Sequence, residues 1–218
     1  GHSTVGTLSS ATYNTALGLG ALDAITQGDY NVAVGYDAGT NITTGSQNIL
    51  VGRQAGDALT TGSDNVAVGH GALKTEDTHG KNVAIGYEAL KVQDAGADAY
   101  NTAIGYQAGV AVSTGTHNVL LGGKAGDSLN TGSANIAIGY EALQYETAYG
   151  NNVAIGHQAL NSLRAGAAGY NVAIGDNAGV SMSTGVRNTI IGGLAGDAMT
   201  TGVDSVAVGH NALGALTI

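Results

Sequence analysis

Cysteine, proline, tryptophan and phenylalanine are absent from all 218 residues. Without cysteine there is no disulfide framework, no thiolate metal site and no cysteine nucleophile. Charge is scarce: seven Lys and Arg stand against sixteen Asp and Glu, a net charge of −9. So few cations, unclustered, argue against a nucleic-acid backbone as partner. At 11% charged residues the chain is not a disordered polyelectrolyte either. No apolar run approaches the roughly 20 residues that a membrane helix needs, so no membrane insertion by this segment is expected. Glycine is abundant, 37 residues, but lacks the three-residue period of collagen. Gly1-His2-Ser3 reads as the scar of a cleaved tag, and the chain as an excised segment.

What is present is one phrase written twelve times: Asn, aliphatic, small apolar, aliphatic, Gly, any, any, Ala. Asn31-Val32-Ala33-Val34-Gly35 with Ala38 is one copy, and Asn135-Ile136-Ala137-Ile138-Gly139 with Ala142 another. Asn opens eleven copies and Ser205 the last. The step between openings is 17 residues, except Asn82 to Asn101 and Asn152 to Asn171, where it is 19. A fixed period of this length marks a solenoid. Residues 1–13 read as scar and lead-in, and 14–218 as one repeat domain with super-repeats 31–100, 101–170 and 171–218. Within each super-repeat the ninth position is Gly in the first two coils and Leu in the third and fourth.

The opening segment of each coil predicts a short strand ended by a Gly turn. Second and fourth positions share one strand face and the third lies on the other. All three are apolar in nearly every copy, and a strand apolar on both faces is buried on both. The return segment, with an aliphatic at position twelve such as Ile42 or Leu59 and a Thr-Gly pair after it, predicts a second, shorter strand. It covers one face. A second copy of the chain is expected to cover the other, through Ala33, Leu50, Ala67, Ala84, Ala103, Leu120, Ala137, Ala154, Ala173, Ile190 and Ala207. Stacked Asn side chains are expected to bond along the axis.

Asn82–Gly86 with Ala89 resembles the head repeat of YadA-type trimeric autotransporter adhesins. Asn101–Ala108 with Thr114-Gly115 is similar to coils of bacteriophage tail fibres and large bacterial surface proteins. The resemblance runs from about Asn14 onward. It implies an all-β, left-handed parallel β-roll of twelve 17–19-residue coils, with three chains side by side as a homotrimer. It also implies a non-enzymatic attachment role outside the cell, on a virion tail fibre or, as the alternative, a bacterial surface. The return turn here is longer than in the adhesin repeat, so no ligand-binding residue is carried over.

No cofactor and no metal are expected. His70, His157 and His210 fall where other coils have Tyr and read as half-exposed rings; His79 and His117 read as solvated turn residues. Asp57, Asp127 and Asp197 recur at one site and read as turn caps. Glu76, Asp77 and Glu146 read as solvated charge. A host glycan or protein, if bound, is expected to meet what breaks the uniformity of the roll: Lys91, Asp94 and Tyr100, Tyr145 and Tyr149, and Asn161, Arg164 and Tyr170. Two lower-ranked readings are an ice-binding solenoid, suggested by Thr43-Thr44 and Thr60-Thr61, and a polysaccharide-degrading tailspike.

Overall fold

A computed structural model describes residues 10–215 and 217. Each Asn-led phrase forms a three-residue strand: β1 (Thr15–Leu17), β2 (Val32–Val34), β3 (Ile49–Val51), β4 (Val66–Val68), β5 (Val83–Ile85), β6 (Thr102–Ile104), β7 (Val119–Leu121), β8 (Ile136–Ile138), β9 (Val153–Ile155), β10 (Val172–Ile174), β11 (Thr189–Ile191) and β12 (Val206–Val208). They stack in chain order into one twelve-stranded parallel sheet. Register is in phase throughout: Ala33 lies beside Leu50 and Leu50 beside Ala67. At about 4.8 Å per strand, the eleven steps make a solenoid roughly 50 Å long.

Among the described residues the return segments form no second sheet. Outside the named strands the described residues hold one bridge, Val186 to Val203. The reason is backbone conformation. Every coil turns repeatedly through positive φ, as at Gln107 (53°), Gly109 (58°) and His117 (60°), which breaks the extended run that a strand needs. The returns are still bonded coil to coil, for example Thr43 N–H to Thr60 O at 2.8 Å and Gly109 N–H to Ala125 O at 3.0 Å.

The core lies inside the coil and is built by the third, eighth, ninth and twelfth positions. The third-position residues Ala33 through Ile190 are fully buried within a single chain, and Ala207 is 2% exposed. This corrects the expectation that they meet a partner chain. Their methyl groups face the chain's own return segment, and a neighbour cannot reach them. The super-repeat signature follows from volume. Leu50 Cδ1 sits 2.6 Å from where a Cβ would stand on Gly39, and Leu50 Cδ2 2.8 Å from that position on Gly56. Leu120 fills the same space over Gly109 and Gly126. In the other two coils Ala stands on the strand, and Leu73, Leu90, Leu143 and Leu160 fill from the ninth position. Large and small residues trade places across a core of constant width.

The expected Asn ladder is present and is the most regular polar feature of the fold. Asn31 Oδ1 accepts the Asn48 backbone N–H at 3.0 Å and Asn48 Nδ2 at 3.0 Å, while Asn48 Nδ2 also donates to Gly62 O at 2.9 Å. Asn118 repeats the pattern toward Asn135 and Gly132. These side chains are buried, so each bond replaces water the backbone cannot reach. The fifth-position Gly is required twice over: Gly105 has φ +141°, and a Cβ there would lie 2.5 Å from Gly122 O in the next coil.

Candidate functional site

With the third position inside, the second and fourth face outward. The outward face of the sheet therefore carries a double file of Val, Ile, Leu and three Thr along all twelve strands. They are half-exposed in mid-sheet and barer at the ends: Ile49 is 44% exposed and Val206 69%. Three residues of strand span about 10 Å, so this ribbon covers roughly 500 Å². That is already the size of the largest apolar patch on a typical monomer, about 300–600 Å².

A column of side chains flanks the ribbon on each side. The residue after each strand-ending Gly forms the first. Arg53 lies over the Tyr36 ring at 5.9 Å and bonds His70 Nε2 at 2.9 Å. His70 stacks on Tyr87 at 5.2 Å and Tyr87 on Tyr106 at 5.4 Å. Gly123 interrupts the column; Tyr140 then stacks on His157 at 5.9 Å, and His157 meets Asp176 at 3.2 Å. The ring histidines thus stand in for Tyr, as their spacing suggests, with the Nδ1 of His70 buried and unpaired. The residue before each Asn forms the second column. Tyr13 stacks on Tyr30 at 4.9 Å, Tyr100 on His117 at 5.4 Å, and Arg187 pairs bidentately with Asp204 at 2.6 and 2.9 Å. His117 is therefore a stacked ring on this column.

The sequence-predicted contact residues divide between two places. Tyr100 and Tyr170 belong to the second column, beside the ribbon, both exposed. The others lie on the return side. Arg164 sits over the Tyr145 ring at 4.8 Å, and Tyr149 is exposed nearby in sequence. Lys91 is tied to Glu88 at 2.8 Å, and Asp94 is solvent-exposed. Asn161 is not available for contact: it is 8% exposed, with Nδ2 donating to Glu141 O and Gln144 Oε1 at 3.1 Å each. In the 19-residue coils there is open space around Gly96 and Gly166.

Glu76 and Glu146 are not solvated. Both occupy the twelfth position, which elsewhere points Ile42 and Leu59 into the core, and both are fully buried. Of the three recurring aspartates, Asp127 bonds Ser128 Oγ at 3.1 Å and Gln144 Nε2 at 3.2 Å. Burial pushes the Asp57 carboxyl up, with Lys74 pulling the other way. Among the described residues there is no enclosed pocket, and no helix is long and apolar enough to cross a membrane. Comparison with protein-family models, with curated proteins and with solved structures finds no match.

Proposed function

We propose that this chain is a segment of a homotrimeric attachment fibre, in which three solenoids lie side by side around a common axis and bury the outward ribbons of their sheets. The observation that carries the reading is the ribbon itself. A parallel sheet is ordinarily covered on both faces, and here the coil covers only the inner one. With its two flanking columns the outward surface spans about seven residues of width, on the order of 1,000 Å², against the roughly 800 Å² per partner of a stable interface. A second copy fits better than an unrelated partner because the coil spacing is the same in every copy. Identical parallel chains keep Val against Val and ring against ring along the whole length. The few charges on the two columns are mostly paired within the chain, as in Arg187–Asp204 and Lys81–Asp98, so little unpaired charge is desolvated on assembly.

The handedness proposed is left-handed, and the setting a virion tail fibre, with the head of a bacterial trimeric adhesin as the second reading. The role is mechanical and adhesive: a stiff spacer whose return-side loops face outward. Around an axis formed by the ribbons, Tyr145, Tyr149 and Arg164 and the loop at Lys91–Asp94 lie on the perimeter, where a host glycan or protein meets them. The test is attachment of the fluorescently labelled segment to host cells, compared with a variant in which the return of 91–100 is cut to a standard 17-residue coil. Weakened attachment of a still-assembled variant supports the reading. Undiminished attachment removes the loop, and no attachment by either protein restricts the segment to spacing.

A further inference from the structure

We propose that Glu76, Asp77 and His79 form a binding site for a first-row divalent transition-metal cation on the return turn between β4 and β5. One ligand atom from each of the three lies within 4.8 Å of the others. Glu76 is fully buried. Its Oε1 accepts the His79 backbone N–H at 3.1 Å and faces His79 Nδ1 at 3.6 Å. Its Oε2 is buried with no hydrogen-bond partner. A buried carboxylate oxygen left unpaired is costly and calls for an explanation.

The donor set fixes the class of ion. Imidazole nitrogen with carboxylate oxygen suits zinc and its neighbours, whereas calcium and magnesium take shells of oxygen alone. Tetrahedral zinc with ligands at about 2.0–2.2 Å spaces them roughly 3.4 Å apart. The 3.6 Å from Glu76 Oε1 to His79 Nδ1 already matches, and Asp77, at the surface and within 4.8 Å of both, would close the remainder by rotating its side chain. His79 Nδ1 also lies 3.0 Å from the Thr78 hydroxyl, a contact that the cation would displace. Three protein ligands leave a fourth position for water. Lys81 does not compensate this charge, because it is paired with Asp98 at 2.5 Å.

The duplicated block supplies an internal contrast. Seventy residues on, Glu146 is equally buried, but Thr147 and Tyr149 stand where Asp77 and His79 do. Glu146 Oε1 accepts the backbone N–H groups of Thr147, Ala148 and Tyr149 at 2.9, 3.1 and 3.0 Å, and its Oε2 accepts that of Ala165 at 2.8 Å. Where the ligating side chains are missing, the loop closes on both oxygens. Where they are present, one oxygen is left free. Glu76 keeps one such amide, that of His79, and the cation would do for the first loop what three further amides do for the second.

The experiment titrates the metal-free full chain with zinc chloride, by calorimetry and by thermal unfolding. In parallel it titrates the double variant Asp77→Thr/His79→Tyr, which carries the residues of the duplicate loop and so retains a known way to fold. One zinc per chain at micromolar affinity is expected, with a rise in Tm, both weakened at least tenfold in the double variant and in Glu76→Gln. Absence of saturable zinc uptake up to about 1 mM, where even weak sites raise Tm, overturns the proposal. Equal affinity in wild type and double variant overturns it as well. The outcome does not depend on whether the chain is a trimer.

Discussion

Replacing Asn118 by Ala removes one rung of the Asn ladder at mid-solenoid. Asn118 Oδ1 accepts the Asn135 backbone N–H at 3.0 Å and Asn135 Nδ2 at 3.2 Å, and Asn118 Nδ2 donates to Gly132 O at 2.9 Å. Asn135 Nδ2 keeps Tyr149 O at 3.3 Å, so two groups are orphaned: the Asn135 amide and the Gly132 carbonyl. Both lie where water does not reach. At about 1–3 kcal/mol for each buried unsatisfied group, the loss is roughly 2–6 kcal/mol. Solenoid stability is close to a sum over neighbouring coils, so the damage should be local. Guanidinium unfolding reads the total and amide exchange reads the place: protection at Asn135 should fall far more than at Asn48 or Asn188. Asn118→Asp, which keeps an acceptor but loses the donor and buries a charge, should also be destabilised. A loss under about 0.5 kcal/mol for Asn118→Ala, within the range of ordinary surface changes, or unchanged exchange at Asn135, would refute the reasoning.

Leu120→Ala should cost about 2–5 kcal/mol through a cavity inside the coil, and adding Gly126→Leu, which copies the Ala-and-Leu pattern of the third and fourth coils of each block, should restore at least half in a thermal melt. Gly105→Ala puts a Cβ 2.5 Å from backbone that cannot rotate away, and should abolish soluble folded protein as judged by circular dichroism. Ile104→Lys on the outward ribbon should leave the secondary structure of the chain intact and dissociate the assembly, seen by sedimentation. Bonds from Lys91 and Gln107 hold the Glu88 carboxyl below its usual range, and a bond from Gln158 does the same for Glu141. A lowered folded pKa stabilises above the unfolded value and is lost as pH falls through the folded one. Tm should therefore drop below about pH 4, with a shallower drop in Glu88→Gln/Glu141→Gln.

The coil length, the strand positions, the parallel stack and the Asn ladder were all readable from the repeat. Which face points inward was not read correctly. Alternation separates Val32 and Val34 from Ala33 but does not say which side is interior, and small Ala suits a close chain contact as well as a thin coil. The deciding signal was in the sequence: Leu50 occurs where the ninth positions are Gly39 and Gly56, a trade that makes sense only if both fill one interior. Position twelve likewise pointed Glu76 and Glu146 inward along with Ile42 and Leu59. The missing second strand was harder to see, because residues such as Gln107 and His117 adopt positive φ that their side chains do not advertise.

The central claim is that the outward ribbon is covered by two further copies of the chain. Light scattering of the purified segment tests it most directly: the account predicts a mass three times the 21.4 kDa of one chain, and a monodisperse species at the single-chain mass would contradict it.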